Sequence, residues 1–270
     1  MPNSPQRRHF FQTAQLILYI FSIDQRVTGG SIPDEIGLFE KLENLILKNN
    51  QFLVGTIPDG IKSNQALRQI GLFNNSLTGT LPYGIYKLPL LTYLNLSDNH
   101  LSGALSKDLG QLANLEKLIL DNNDFTGHLL PLPLRQTQIN VLSLSGNRFS
   151  SNIVPAMRFL KNLEFLYLDD NEFVGSIPSD IGGVSQLRSF SLSRNQFTGT
   201  LPLELGELSE LRYLNMAENN FVGPLNESMF ENFMHLKILS LGQNNFTGNL
   251  GSLGTLDYTW VKNGTEIGSV

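Results

Sequence analysis

The stretch LRSFSLSRNQFTGTLPLELGEL, residues 187–208, decides the fold. Its residues fit the pattern LxxLxLxxNxLxGxLPxxLxxL, with phenylalanine at two of the apolar places. The same pattern starts again at Leu211, 24 residues after Leu187. A motif that returns at a fixed period of about 20 to 29 residues is typical of an array of stacked coils.

The first part of the stretch predicts a short β-strand. Side chains of a strand alternate between its two faces, so we expect Phe190 and Leu192 to point to the interior and Ser189, Ser191 and Ser193 to point to solvent. One coil cannot bury its own apolar edge. Coils stacked about 4.8 Å apart share a continuous core and form a parallel sheet.

The second part of the stretch turns the chain back. Asn195 offers a short amide that satisfies backbone groups of the turn and of the next coil. Gly199 permits a tight passage of the backbone, and Pro202 fixes φ where the chain leaves the strand region. Leu205 and Leu208 can then return to the interior.

The pattern recurs along almost the whole chain. Copies begin near residues 18, 42, 67, 91, 115, 139, 163, 187, 211 and 236, with one extra residue in the copies from 42 and 211. The asparagine place is filled by Asn50, Asn75, Asn99, Asn123, Asn147, Asn171, Asn195, Asn219 and Asn244. We therefore predict one repeat domain over residues 18–259, an N-terminal extension or cap at 1–17 and a C-terminal tail at 260–270.

The pattern weakens at both ends and in the middle. Basic residues followed by an apolar stretch in residues 1–23 indicate a first-repeat strand with its cap, a cleaved signal peptide or a short anchor. The repeat register favours the first, although Arg26 stands at the asparagine place. Trp260 lies where the next copy would start, and we expect it to cover the open end of the last coil. Irregular repeats over residues 130–154 predict a loop variation on the convex side.

Composition excludes several classes of protein. With 41% hydrophobic and 16% charged residues, the 270-residue chain is globular rather than disordered. Its net charge of -5 argues against nucleic acid as a partner, because phosphate binding needs a basic surface. The absence of cysteine rules out thiolate metal sites and thiol catalysis. No apolar run approaches the roughly 18 residues of a membrane span.

A Gly-x-Ile/Leu-Pro element adds a further signature. It occurs at residues 30–33, 55–58, 79–82, 175–178 and 199–202. With this element the chain resembles the plant-specific class of leucine-rich repeats. That class is typical of the ectodomains of receptor-like kinases and receptor-like proteins, and of secreted polygalacturonase-inhibiting proteins.

The resemblance implies both a fold and a use. The implied fold is an α/β solenoid, a horseshoe or right-handed superhelix with a parallel sheet on the concave face and 3-10 or short helices and loops on the convex face. Its inner surface would bind peptides, proteins or co-receptors. The paired cysteines that flank such ectodomains, a transmembrane helix and a kinase domain are missing from the sequence. We therefore expect a fragment of a receptor-like protein.

No pattern of catalytic residues is present. The histidines His9, His100, His128 and His235 lie in different copies, and the acidic pair Asp169 and Asp170 is more typical of a solvated face than of a glycosidase site. We predict a non-enzymatic module without a cofactor that binds a protein or peptide ligand. We expect it at the cell surface or outside the cell, with membrane contact only through a part of the protein outside this chain. Two alternatives remain open: a secreted inhibitor of a polysaccharide-degrading enzyme, and an intracellular scaffold, which the absence of cysteine favours.

The candidate ligand site lies on the concave face. Outward strand positions carry Phe73, Tyr93, Ile119, Phe165, Tyr167 and Tyr213, and exposed aromatics in a groove are typical of a contact surface. The alternative is cross-strand packing that only stabilises the sheet.

Charges follow a second column of the repeat. Its second position reads Glu43, Arg68, Thr92, Glu116, Asn140, Glu164, Arg188, Arg212 and Lys237. The last three are basic in succession, and we predict that Phe165, Tyr167, Arg188, Arg212, Tyr213 and Lys237 contact the ligand, with the cations anchoring a carboxylate. The alternative is three solvated side chains with Glu210 and Glu218 as partners.

Sequons for N-linked glycans occur at Asn74, Asn95, Asn226, Asn245 and Asn263. We expect Asn74 and Asn95 on strands of adjacent copies. Sugars there would cover the N-terminal part of the concave face and leave its C-terminal half to the ligand.

Overall fold

A computed structural model describes residues 19–24, 29–129, 137–153, 160–247, 259–262 and 265–269 of the chain. Several sequence predictions lie outside these ranges. They concern the extension at 1–17, the repeat start at Leu18, Arg26, the sequon at Asn263, most of the irregular segment 130–154 and the side chain of Trp260.

The strands, numbered in chain order, form one long sheet and two shorter ones. Strands of the long sheet follow one another in the order β1, β2, β4, β6, β8, β10, β12, β14, β16, β18, β20, β21. Their bounds are Ile20–Asp24, Asn44–Lys48, Gln69–Gly71, Tyr93–Asn95, Lys117–Ile119, Val141–Ser143, Phe165–Tyr167, Ser189–Ser191, Tyr213–Asn215, Ile238–Ser240, Thr259–Lys262 and Thr265–Ser269. All neighbours from β1 to β20 pair in parallel, which is the sheet that the repeats predict.

The register of the long sheet follows the repeat. Phe165 pairs with Ser189, and Ser189 pairs with Tyr213, each 24 residues further along. The step is 25 residues from Tyr213 to Ile238, where the sequence has one extra residue. Equivalent positions of successive repeats therefore stand side by side, about 4.8 Å apart.

Two shorter parallel sheets lie where each coil turns away from the long sheet. Strands β3, β5, β7, β9 and β11 span Asn50–Gly55, Asn75–Gly79, His100–Ala104, Asp124–Gly127 and Arg148–Phe149. Strands β13, β15, β17 and β19 span Val174–Gly175, Gln196–Gly199, Asn220–Pro224 and Asn245–Thr247. The interruption between β11 and β13 falls in the repeat that has Ser151 at the glycine place.

Short helices occupy the opposite side of the coils. The 3-10 helices span Asp34–Leu38, Asp59–Ser63, Tyr83–Lys87, Lys107–Gln111, Ser179–Gly183 and Leu203–Glu207, and α1 spans Glu227–Phe230. Proline is the N-cap residue of five of the 3-10 helices, where its fixed φ suits the extended backbone and its carbonyl accepts the first hydrogen bond of the helix. A helix needs more room per coil than a hydrogen-bonded strand, so the stack curves with the long sheet on its concave side. This confirms the predicted α/β leucine-rich repeat solenoid.

The core is continuous along the stack. Leu187, Phe190, Leu192, Leu205 and Leu208 are all fully buried, as the spacing predicts. A column of phenylalanines runs through the core with ring centroids 5.9 to 6.3 Å apart in successive coils: Phe125, Phe149, Phe173, Phe197, Phe221 and Phe246. The first five rings are buried, and Phe246 at the end of the column is partly buried.

The asparagine column satisfies backbone groups that the turns bury. The amide nitrogen of Asn195 donates to the carbonyls of Leu192 and Ser193 in its own coil and of Leu168 in the preceding coil, at 2.9 to 3.2 Å. Its Oδ1 accepts from the backbone amide of Phe173, also in the preceding coil, at 3.0 Å. The predicted role is therefore right, but the neighbour that Asn195 reaches lies before it in the chain rather than after it.

Gly199 shows why glycine fills its place. Its φ is +80°, which residues with a Cβ rarely adopt, and a Cβ there would lie 3.1 Å from the Cβ of Ser176 in the preceding coil. The backbone can pass this close to the neighbouring coil only without a side chain.

The sheet continues past the last regular repeat. Strand β20 pairs in parallel with β18, through Ile238 with Thr259 and Leu239 with Trp260, and β21 returns antiparallel to β20. In the backbone, the tail therefore covers the edge of the sheet. The division into ten repeats and two end segments remains a prediction.

Candidate ligand-binding face

Five of the six predicted contact residues meet in one open depression on the concave face. Its volume is about 470 Å³, and it is lined by Phe165, Tyr167, Asp169, Arg188, Ser189, Ser191, Arg212 and Tyr213. The sixth, Lys237, lies beside Arg212 in an adjoining depression of about 430 Å³, together with Met234, His235 and Leu236. The structure thus brings together residues from four successive coils.

Aromatic side chains form two walls of the main depression. Phe165 and Tyr167 stand on β12, and Tyr213 stands two strands away on β16. Between them, β14 contributes only Ser189 and Ser191. We call Phe165, Tyr167 and Tyr213 the aromatic group. All three are half-buried, so each ring keeps apolar surface in contact with solvent.

The serines at the floor correct one sequence expectation. Ser189, Ser191 and Ser193 point outward from the sheet, but they are only 7%, 3% and 4% exposed. A small side chain between two strands that carry larger side chains lies below their tips, so outward orientation does not make it solvent-exposed. The result is a polar floor between aromatic walls.

The rim at the start of the strands carries the basic row, defined as Arg188, Arg212 and Lys237. Arg188 donates to Glu164 across the sheet at 2.6 Å. Within the ranges that the structure describes, Arg212 and Lys237 form no ion pair. Among the described residues, neither Glu210 nor Glu218, the partners named in the alternative interpretation, pairs with this row.

Register explains which carboxylate pairs with Arg188. Glu164 holds the same repeat position one coil earlier, so it stands beside Arg188 in the parallel sheet, and this column could have identified it from the sequence. Glu218 instead lies 3.8 Å from Arg194, at the other end of the strands. Two cations of the basic row, Arg212 and Lys237, therefore have no carboxylate partner among the residues that the structure describes.

The rim at the end of the strands carries the acidic row, defined as Asp169, Asp170 and Glu218. Asp169 accepts hydrogen bonds from the hydroxyls of Ser191 and Ser193 at 2.5 and 2.7 Å. Asp170 pairs with Arg194. One cation thus stands among three carboxylates here, opposite a rim with an excess of positive charge.

A second buried carboxylate lies further towards the N-terminus. Burial raises the pKa of Asp121, and this effect exceeds the lowering by hydrogen bonds from the hydroxyl of Ser143 and the backbone amide of Ser145. The nearby carboxylates Asp98 and Asp169 raise the pKa further. Asp121 follows β8, four strands from Tyr213, and is outside the main depression.

The N-terminal half of the concave face is different. Phe73, Tyr93 and Ile119 are half-buried there as well. Tyr93 accepts a hydrogen bond from the side-chain amide of Asn95 at 3.0 Å. No basic row accompanies these side chains, because the second repeat position reads Arg68, Thr92 and Glu116.

The structure also alters the expectation about glycans. Asn95 lies on β6 but is only 9% exposed, and its side chain bonds Tyr93 and Ser97. Asn74 is exposed, but it lies in the turn after β4 rather than on a strand, with φ at +55°. A glycan on Asn74 would therefore stand at the rim, and a glycan on Asn95 would have to displace buried contacts. Asn226 and Asn245 are exposed.

The sequence analysis missed three residues of the main depression. The sequence predicts Asp169 as part of a solvated acidic pair, and Ser189 and Ser191 as solvent-facing strand positions. The columns of the repeat carry the signal for all three, because residues 24 apart become neighbours in the sheet.

Family models described as leucine-rich repeat match residues 40–101, 162–184 and 186–208. The described ranges form the coils that these models imply. The chain is a leucine-rich repeat protein. No curated protein sequence matches it.

Several solved structures similar to this leucine-rich repeat protein are of receptors. A TDR receptor matches with a TM-score of 0.87 and 30% identity over 95% of this chain and 44% of its own. The plant peptide hormone receptor RGFR1 in complex with RGF2 matches with a TM-score of 0.81 and 27% identity, over 87% and 38%. The Arabidopsis receptor kinase HAESA in complex with the peptide hormone IDA and the co-receptor SERK1 gives 0.77 and 27%, over 87% and 40%.

These matches confirm that the repeats are of the plant type. The chain spans less than half the length of each of these receptor chains. No helix in the described ranges is long and apolar enough to cross a membrane.

Proposed function

We propose that this chain is the ligand-recognising part of a receptor-like cell-surface protein and binds a peptide or protein along its concave face. The observation that carries the proposal is the meeting of the aromatic group with Arg188 and Arg212 around one open depression. Lys237 extends the contact surface towards the C-terminus. The membrane connection of such a protein would lie outside this chain, and the concave face would be extracellular.

The composition of the depression suits recognition of a polypeptide. Tyrosine and arginine supply much of the binding free energy at protein interfaces, because they bury large apolar areas and also form hydrogen bonds. The side chains stand on neighbouring strands of a hydrogen-bonded sheet, so their spacing is fixed before the ligand arrives. A preorganised site loses less conformational entropy on binding. The complexes of RGFR1 and HAESA with peptides support the same class of ligand.

Photo-crosslinking tests the proposal directly. A benzophenone amino acid replaces Tyr213 in one variant and Tyr83, an exposed residue of a convex-side 3-10 helix, in the control. Each protein is exposed to the secreted fraction of the source tissue, and adducts are identified by mass spectrometry. We expect a peptide or protein adduct at position 213 and none at 83.

The identity of the adduct separates this proposal from the two alternatives. A secreted peptide or a receptor ectodomain supports receptor-type recognition. A polysaccharide-degrading enzyme as the adduct would favour an inhibitor, and exclusive adducts with cytosolic proteins from a whole-cell extract would favour a scaffold. Equal labelling at positions 213 and 83 would contradict a concave binding site.

A further inference from the structure

Large side chains occupy every second strand of the main depression. Phe165 and Tyr213 share one column of the sheet, with Ser189 between them. Two strand spacings place the two aromatic positions about 9.6 Å apart. The slot between them has a serine floor and apolar walls. The line from one aromatic wall to the other crosses the strands and is parallel to the axis of the stack.

The two rims of this slot differ in charge. Along the strand-start rim, the basic row presents Arg212 and Lys237, neither of which pairs with a carboxylate of the described residues. Along the strand-end rim, the acidic row has Asp169 held by serine hydroxyls and Asp170 and Glu218 on either side of Arg194. An acidic group of a ligand is therefore stabilised on one side of the slot and repelled on the other.

We propose that the slot takes a polyproline II segment that lies across the strands, with acidic residues at every third position facing the basic row. This inference rests on the proposed function and specifies its ligand. One face of the segment, formed by proline or another apolar residue, enters between Phe165 and Tyr213. The next face carries the carboxylates, and the third face is free of acidic groups because it meets the acidic row.

Periodicity selects this conformation over a β-strand. A polyproline II helix has three residues per turn and advances about 9.3 Å per turn, close to the spacing of alternate strands in the sheet. Residues of one face of the segment therefore recur at nearly the same spacing as the aromatic walls, so each wall meets the same face. In an extended β-strand the same face returns after about 6.7 Å, which matches neither one nor two strand spacings.

Aromatic-lined grooves suit this conformation for a second reason. A proline-rich segment already populates polyproline II when free, so less conformational entropy is lost when it binds. Its backbone forms no internal hydrogen bonds, which leaves its carbonyls free to accept from Arg188, Tyr167 or Ser189.

Two blocked peptides of equal composition test the inference by calorimetric titration against the full chain. Both contain proline and glutamate in a ratio of two to one, with acetylated and amidated ends so that no terminal charge contributes. The in-step peptide has glutamate at every third position, on one face. The out-of-step peptide has the same number of glutamates at alternate positions, which distributes them over all three faces. We expect the in-step peptide to bind about tenfold more tightly or better.

Variants of the protein identify the groups responsible. Arg212→Ala with Lys237→Ala should abolish the preference for the in-step peptide, and Tyr213→Ser, which places in the column the residue already present at Ser189, should weaken both peptides. The matched control Arg68→Ala removes a cation at the same repeat position in the N-terminal half and should leave both affinities unchanged. Circular dichroism and thermal unfolding verify that each variant is folded.

Several outcomes would overturn the inference. Equal affinity for the two peptides, no binding of either, tighter binding of a version with lysine in place of glutamate, or a preference that persists without Arg212 and Lys237 would each do so. If neither peptide binds while position 213 still crosslinks a secreted ligand, this inference fails and the proposed function stands. If the crosslinks at 213 are also absent, both fail.

Discussion

Two sets of columns share the period of the repeat but obey different constraints. One set is the asparagine and phenylalanine columns inside the coils, and the other is the variable columns of the concave face. Inside, Asn195 and Phe197 have their partners fixed by the backbone and by equivalent residues of neighbouring coils. On the concave face, Tyr213 and Arg212 contact solvent and a few variable neighbours. The difference teaches that the period of the chain specifies its shape, whereas departures between copies specify what it binds.

We expect the largest loss of stability when a phenylalanine of the interior column is removed. Phe197 is fully buried, with its ring centroid 6.1 Å from Phe173 and 6.0 Å from Phe221. Phe197→Ala should lower the free energy of unfolding by about 3 to 5 kcal/mol, because it removes apolar contacts and leaves a cavity. Urea denaturation measures the change. The control Leu203→Ala alters an exposed residue and should change it by no more than about 0.5 kcal/mol.

Removal of a side-chain amide from the asparagine column should lower the free energy of unfolding somewhat less than Phe197→Ala does. Asn195→Ala leaves the amide of Phe173 and the carbonyls of Leu168 and Leu192 without that partner, at an expected cost of about 2 to 3 kcal/mol. Asn162→Ala is the matched control, since Asn162 is exposed and, among the described residues, its side chain donates to the side chain of Gln138. Equal losses of stability in the two variants would show that burial does not determine how much a column asparagine contributes to the free energy of unfolding.

Removal of the two arginines of the concave face should affect binding rather than folding. Arg188→Ala with Arg212→Ala should leave the thermal midpoint nearly unchanged, because the ion pair of Arg188 with Glu164 is partly exposed. The same variant should weaken an acidic ligand captured at position 213 by at least about tenfold, or about 1.4 kcal/mol. Titration of that ligand with a free and with an amidated C-terminus measures whether the arginines hold its terminal carboxylate. Unchanged affinity in the variant would show that these arginines are only solvated.

The smallest effect concerns the buried carboxylate of the concave face. Burial raises the pKa of Asp121, so the folded state holds this proton more tightly than the unfolded chain does. Ionised Asp121 therefore costs stability at neutral pH, and the cost disappears as the pH falls through the raised pKa towards the ordinary carboxyl value. Asp121→Asn should be slightly more stable than the natural chain at pH 7, with the difference closing in acid. Thermal unfolding across this pH range would contradict the expectation if the difference stayed constant or reversed.

Much of the fold could be predicted from the sequence because its signals repeat. The spacing of Leu187, Asn195 and Gly199 recurs often enough to fix the strand, the turn and the return of the chain. The register of the long sheet followed from the same spacing. The spacing did not predict burial on the concave face, because burial there depends on the side chains of adjacent strands. Ser189, for example, is covered by larger residues on β12 and β16.

The candidate site was predictable in part. The aromatic group and the basic row could be read from their columns, but the alternative interpretation named Glu210 and Glu218 as partners of the basic row. Sequence proximity suggested those two residues, whereas the parallel sheet places Glu164 beside Arg188. In this fold, a residue one period away is a closer neighbour than most residues of its own coil.

The asparagine of each coil bonds the backbone of the preceding coil, so the coils of a growing chain are completed in order from the N-terminus. The backbone amide of Phe173 finds its acceptor in Asn195, 22 residues later, so a coil emerging from the ribosome stays incomplete until the next one has been made. Each new coil thus completes the one before it, and the growing end carries the unpaired groups at every stage. We expect arrested nascent chains to gain protease resistance one period at a time, always one coil behind the length already synthesised.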